Sequence, residues 1–217
     1  MGIEETITRR RSIRKFNSTP VEIDTIIELL ENAIWAPSAS NRQDYRFIVA
    51  DDRKLISRIV DAGGSHILLN GDKVIFVLYS SFTDNQEYAD NIQSASAIIQ
   101  NFILLAHERK IGTCWICHLP RKKVLHKLLN IPAGLEVIAA VVLGHTDFSN
   151  LKTVERKYAV KDVLGYNTFY SKYPLSGNRK LLYIRIPLNK LYYLLPTFIK
   201  KLINGFLDKH FVKKFEN

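Results

Sequence analysis

The sequence predicts one mixed domain of helices and strands, α/β or α+β, over about residues 1–165, followed by a basic helical extension over 166–217. Three observations predict it. Segments with helical apolar spacing alternate with short apolar runs of strand length. A chain of 217 residues with 47% hydrophobic content fills one main core. The charge changes character late: of the net +10, residues 179–217 contribute nine Lys/Arg against two acids, which leaves +3 for everything before them.

Residues 3–10 predict a short first helix, followed by the cluster RRRSIRKF. Thr19-Pro20-Val21-Glu22 reads as a capping box with proline at the first helical position. Ile23, Ile26, Ile27, Leu30, Ala33 and Ile34 then mark a helix ending near Ala36-Pro37. Tyr45–Ala50 reads as a strand and Lys54–Asp61 as a short amphipathic helix. Gly63-Gly64 and Asn70-Gly71 are turn signals, and Val74–Ser80 is a buried strand. Ile92, Ala95, Ile99, Phe102, Ile103 and Ala106 share a helical face, with the helix ending at Gly112. GTCWICHL is a further strand, residues 121–129 a small basic helix, and Val137–Gly144 another buried strand.

No stretch of about 18 uncharged apolar residues exists, and the N-terminus lacks an apolar core of signal-peptide type, so a cytoplasmic protein is expected. A nucleic-acid enzyme would spread basic residues over a groove with exposed aromatics, whereas here they gather in the tail. No nucleic-acid partner is expected.

Cys114-Trp115-Ile116-Cys117-His118 matches the attachment signature of a c-type haem. The only methionine, Met1, is the initiator, and covalent haem belongs mostly to exported proteins. On a strand, cysteines three residues apart lie about 10 Å apart, beyond the limit of about 7 Å for a disulfide. A thioredoxin-like dithiol would open a helix, and here the helix precedes the motif. His66, His107, His126, His145 and His210 show no spacing that completes a zinc site, so no metal is expected. Two buried structural cysteines on a strand are the simplest reading.

Chemistry concentrates elsewhere. Arg10, Ser12 and Arg14, alternating in an extended segment with Arg11 beside them, would clamp a phosphate and a polyol chain. Alone, this stretch would be a solvated basic turn. APSASNRQ, with Ser38, Ser40, Asn41 and Gln43 in a turn after a helix, offers short donors and acceptors to a flat heterocycle. Alone, it would be a capping loop.

The ordered set RRSIRKF, APSASNRQ, SASAIIQNFILLAHERKIGTCWI, IPAGLEVIAAVVLGH and ERKYAVKDV resembles the FMN-dependent nitroreductase family over about residues 3–165. The resemblance implies an α+β sandwich with a central, mainly antiparallel sheet flanked by helices, and a homodimer with FMN at the subunit interface. It implies that Arg10, Arg11, Ser12 and Arg14 hold the phosphate and ribityl chain. Pro37, Ser38, Asn41 and Gln43 would approach the flavin from the partner subunit, and Arg156, helped by Lys157, would close on the phosphate. The backbone of Trp115, Ile116 and Cys117 would pass beside the flavin ring, near its reactive nitrogen. Cys117 and His118 stand where the family often has glycine, and Asp44 where it often has proline.

The activity so implied is NAD(P)H-driven, ping-pong, two-electron reduction of nitroaromatic, quinone-like or related small acceptors. The cofactor carries the difficult step, so no catalytic triad is required. His118 is a candidate to deliver a proton to the acceptor, although a structural histidine is the simpler reading. The alternative is a flavin-binding or flavin-processing protein of the same fold, membrane-associated or not, without nitroreductase turnover.

In the extension, Leu191, Leu195, Phe198, Leu202 and Phe206 form one helical stripe, with Lys200, Lys201 and Lys209 elsewhere and Pro196 breaking the helix. Three roles compete for residues 188–215: an arm across the dimer partner, peripheral contact with an anionic membrane, and a protein-binding segment. The arm is favoured slightly because Tyr192, Tyr193 and Phe215 broaden the apolar face.

Overall fold

The alternation of helical and strand patterns resolves into nine regular helices and strands among the described residues. They are α1 (Ile3–Arg9), α2 (Ile23–Ala33), β1 (Tyr45–Ala50), α3 (Arg53–Asp61), β2 (Lys73–Ser80), α4 (Asp90–Glu108), β3 (Ile111–Ile116), α5 (Lys122–Leu129) and β4 (Leu135–His145). This computed structural model describes residues 2–149, 151, 154–174, 187–188, 191–192, 194–196, 198–200, 202–203 and 205–206.

The four strands form one sheet in the order β1-β2-β4-β3, every neighbouring pair antiparallel. The chain reaches β3 through α4, and β4 then enters between β2 and β3, so alternating helices and strands yield an α+β rather than an α/β fold. Strand β2 is apolar at nearly every position because both its faces are covered. Ile75, Val77 and Tyr79 point to a core made with Ile26 and Leu29 of α2 and Ile99 and Phe102 of α4. Val74, Phe76 and Leu78 point to a second core with Ile56 and Ile59 of α3, Leu125 of α5, and Leu68 from the turn after α3. Each such side chain contributes about 1.5–3 kcal/mol by burial, which fixes the strand register.

Several expectations are corrected. The capping box at Thr19 does not form: the Val21 N–H donates to Asp72 Oδ2 (2.8 Å), which keeps the 19–22 segment extended, and α2 begins at Ile23 with no side-chain cap. On α2 the buried face is Ile26, Leu29 and Ala33, whereas Ile23 and Ile27 are exposed. Ile92 on α4 is exposed as well, because the buried stripe runs through Ala95, Ile98, Ile99 and Phe102. Helix α4 ends at Glu108 rather than Gly112, and a one-turn helix at His66–Leu69 carries no apolar period long enough to foresee.

Two compact units divide the chain: Met1–Ser149 with Pro196–Asn217, and Asn150–Leu195. Within the second, Asp162 is a hub, its main-chain oxygen accepting from the Lys172 N–H (2.8 Å) and its Oδ2 from the Tyr173 hydroxyl (3.3 Å). In the extension the helical stretch ends at Leu194, Leu195 is a bend and Pro196 is non-helical, as expected of proline, before helix resumes at Phe198. Tyr193, Lys201, Lys209 and Phe215 lie outside the described residues. Among the described residues, no helix is long and apolar enough to cross a membrane.

Candidate functional site

After α1 the chain turns extended at Arg10 and runs beside the edge strand β3. Ser12 forms a parallel bridge with Thr113, the Ile13 N–H donates to the Thr113 carbonyl (2.8 Å), and the Asn17 N–H donates to that of His145 (2.8 Å). This close approach depends on two glycines. Gly112 and Gly144 are cross-strand partners on one face of the sheet. A methyl group on Gly112 would meet Ile13 at 3.0 Å, and one on Gly144 would meet Phe16 at 2.9 Å. Ile13 and Phe16 therefore fill the space that side chains would otherwise occupy, and the basic segment lies down on the sheet.

The segment's polar side chains split by that packing. Ile13 is buried, Ser12 exposed, and Arg10, Arg11 and Arg14 half-buried. Arg11 Nη1 donates to the carbonyls of Thr8 (2.8 Å) and Arg10 (2.7 Å), and Arg14 Nη1 to that of Ser12 (3.2 Å). Their positive field reaches two neighbours. Burial pushes the Cys114 thiol up, and Arg14 and Arg10 oppose the shift. Burial, with Lys110, Arg10, Arg11 and Arg9, holds His107 below the ordinary imidazole value. A cationic patch thus spans the end of α1 and the end of α4.

The segment leaves β3 at Thr113, so no further strand lies beside Trp115 and Ile116 among the described residues. The Trp115 indole N–H is buried without a hydrogen-bond partner. Cys117 lies just past the strand and is exposed, which corrects the expectation of two buried cysteines; both thiols are free. Burial raises the Cys117 thiol, opposed by the adjacent Trp115 indole, which sits close to it without a normal hydrogen-bond geometry. The half-buried His118 accepts at its carbonyl from the Ser65 N–H (3.0 Å).

The second motif is a strained loop. Ser40, Asn41 and Gln43 all have positive φ (52°, 52° and 55°), a conformation that costs on the order of 1 kcal/mol for each non-glycine residue. Helix α4 holds the loop in place. The Ala39 N–H donates to Ser94 Oγ (3.0 Å), and Arg42 Nη2 pairs with Asp90 Oδ2 (2.7 Å). That pair, with the Asn85 N–H, keeps the Asp90 carboxyl below its ordinary range. The buried Asn91 donates through Nδ2 to the Ser80 carbonyl, joining the helix to the end of β2. Gln43 Nε2 donates to Asn41 Oδ1 (2.9 Å), and both residues are exposed, as is Pro37. An open hollow of about 410 Å³ lies between Pro37, Ser38 and the Asp90, Gln93, Ser94 and Ala97 side of α4. Asp44 is tied away from the loop by the Thr83 hydroxyl (3.0 Å).

These two motifs do not meet within one chain. The loop enters β1, whose first residue Tyr45 aligns with Tyr79 and Glu136, while Ser12 sits past the other edge, where Thr113 aligns with Leu143. They occupy diagonal corners of the sheet, on the order of 25–30 Å apart from strand spacing and rise. Arg156 and Lys157 are exposed in the second unit, with the Lys157 ammonium 4.8 Å from the Tyr158 ring centre.

Sequence reading missed the residues that place these motifs: Gly112 and Gly144 under the basic segment, and Asp90, Asn91 and Ser94 behind the loop. The signal for the last three was present as polar residues on the otherwise apolar stripe of α4. Among the described residues no cluster of His, Cys, Asp and Glu would hold a metal.

The sequence model of the nitroreductase family matches residues 7–73 and 61–145. A candidate NADH dehydrogenase/NAD(P)H nitroreductase of Archaeoglobus fulgidus is 33% identical over 143 residues, 64% of this chain and 82% of that one. A solved candidate NADH dehydrogenase/NAD(P)H nitroreductase of Parabacteroides distasonis superposes with a TM-score of 0.67 at 26% identity, covering 77% of this chain and 98% of that one. A solved candidate nitroreductase of Desulfovibrio desulfuricans in complex with FMN gives 0.63 at 27% identity, with the same coverage.

Proposed function

The chain belongs to the nitroreductase family, and on that premise we propose that it is an FMN-dependent oxidoreductase that draws two electrons from NADH or NADPH and delivers them to a nitroaromatic, quinone-like or related small acceptor. The observation that carries the reading is the edge of β3. A cationic segment lies along the outer edge of its first half, and the outer edge of its second half, Trp115 and Ile116, which pair with β4 on the inner side, has no further strand beside it among the described residues.

That arrangement fits FMN chemically. Arg10, Arg11 and Arg14 match a dianionic phosphate, the exposed Ser12 hydroxyl matches a ribityl chain, and the backbone of Trp115, Ile116 and Cys117 offers main-chain donors and acceptors to a heterocycle. The buried, unpartnered Trp115 N–H is a polar group that an incoming acceptor atom would satisfy. When bound, FMN supplies the two-electron redox chemistry that no side chain here provides.

The chain's own contribution is placement. The Gly112–Gly144 pair lets the arginine segment sit flat against the sheet, and guanidinium groups so fixed bind phosphate with little further loss of freedom. Main-chain N–H groups at the end of β3 would favour the anionic, reduced form of the ring. Pro37, Ser38, Asn41 and Gln43 would close the site from a partner copy, because the same residues of one chain lie at the far corner of its sheet. Arg156 would add a late cation to the phosphate. His118 would carry a proton to the acceptor only if His118→Gln lowers turnover and leaves flavin affinity unchanged.

An absorbance spectrum of the purified protein, followed by anaerobic addition of NADH or NADPH, tests the proposal. Flavin bands that bleach within the mixing time of a manual assay support it. Flavin bands that persist favour a protein that binds or processes flavin without turnover, and a Soret band without flavin bands would refute both.

A further inference from the structure

We propose that the outward face of residues 198–206 docks the protein on the surface of a bilayer containing anionic phospholipid. Residues 198–200, 202–203 and 205–206 are helical and belong to the first compact unit. They have two apolar sides. Ile199, Ile203 and Gly205 are half-buried, and a methyl group on Gly205 would lie 3.8 Å from His66 Nε2, so this side faces the one-turn helix after α3. Phe198, Leu202 and Phe206, four residues apart, point the other way and are 67%, 70% and 74% exposed.

Three large apolar groups in a row on one exposed helical face are more than scattered surface hydrophobics. The charge around them selects the occupant. From Pro196 to Leu207, within the first compact unit, the sequence has two lysines and no acid. The one-turn helix beneath packs with α3 and donates from Ser65 to the His118 carbonyl, just before α5. Arg121 just before α5, and Lys123 and Lys127 on it, are exposed on that same side of the sheet, while Lys122 pairs with Glu136 (3.1 Å). Two copies meeting through this stripe would bring like charges together, whereas an anionic lipid surface neutralises them while the phenylalanines and leucine enter the acyl boundary. The stretch lies on such a surface rather than across it, since no helix among the described residues is long and apolar enough to span.

The test is co-sedimentation of the full-length chain with phosphatidylcholine vesicles and with vesicles containing phosphatidylglycerol, comparing the natural sequence with a Leu202→Glu/Phe206→Glu variant. Size-exclusion chromatography with light scattering and the visible flavin spectrum are recorded on both proteins. The expected result is binding to the anionic vesicles alone, weakened by about 0.5 M salt and reduced about tenfold or more in the variant, with mass and flavin content unchanged. Equal sedimentation of the two proteins, or none with anionic vesicles, would overturn the proposal. So would a variant whose mass halves while vesicle binding stays the same, since the face would then join two copies. Flavin content separates this proposal from the redox function, because neither protein's lipid binding depends on it.

Discussion

Arg10 and Arg14 reach the edge of β3 because Gly112 and Gly144 project nothing into the space taken by Ile13 and Phe16. If these arginines hold the FMN phosphate, each charge-assisted contact is worth about 1.5–3 kcal/mol. Arg14→Ala should therefore weaken FMN binding by about one to two orders of magnitude, read by fluorescence titration of apoprotein, while the melting temperature changes little. The same cations act on His107, which burial first and the positive patch second hold below the ordinary imidazole value. A histidine with a depressed folded value leaves stability full above its unfolded value of about 6.5, and stability is lost as pH falls from there down through the folded value, because the unfolded chain binds the proton first. Urea unfolding at pH 7.5 and 5.5 should show the natural chain losing stability at the lower pH, and His107→Gln should flatten that slope.

Elements with a strong period were legible and their ends were not. Strands β2 and β4 declared themselves as continuous apolar runs because both faces of the sheet are covered, and α4 because one stripe meets the sheet along its length. The start of α2 misled because the Thr19–Glu22 pattern says nothing about Asp72, which captures the Val21 N–H from 51 residues away. Gly112 read as a helix terminator, since a glycine that clears space for a distant segment leaves the same mark in sequence as one that ends a helix. The strained loop was legible in its donors and acceptors but not in its support, which lies on α4. Ser94→Ala should loosen that loop and lower FMN affinity several-fold with the fold intact by circular dichroism, since it removes the acceptor of the Ala39 N–H. Gly144→Val, which drives a branched side chain into Phe16, should cost about 1–3 kcal/mol in urea unfolding and weaken FMN binding as well.

At the scale of the whole molecule, the two motifs were both visible in the sequence, and their separation was not. Only the strand order and register put the arginine segment and the Ser38–Gln43 loop at opposite corners of one sheet. A site that uses both requires two chains, and the exposed Ile23, Ile27 and Trp35 give apolar surface for their association. Sedimentation equilibrium should return twice the 25.0 kDa chain mass, with one FMN per chain. A monomer that nonetheless binds flavin would place the whole site in one chain and remove the role given to the loop. The central claim, a redox flavin site built on the β3 edge, is tested most directly by anaerobic titration of the purified protein with NADH and NADPH while the visible flavin band is followed. The account predicts a flavin band that is bleached by about one equivalent of reduced nicotinamide per chain and restored by a nitroaromatic or quinone. Protein that carries no flavin after purification and binds none when FMN is supplied would contradict it.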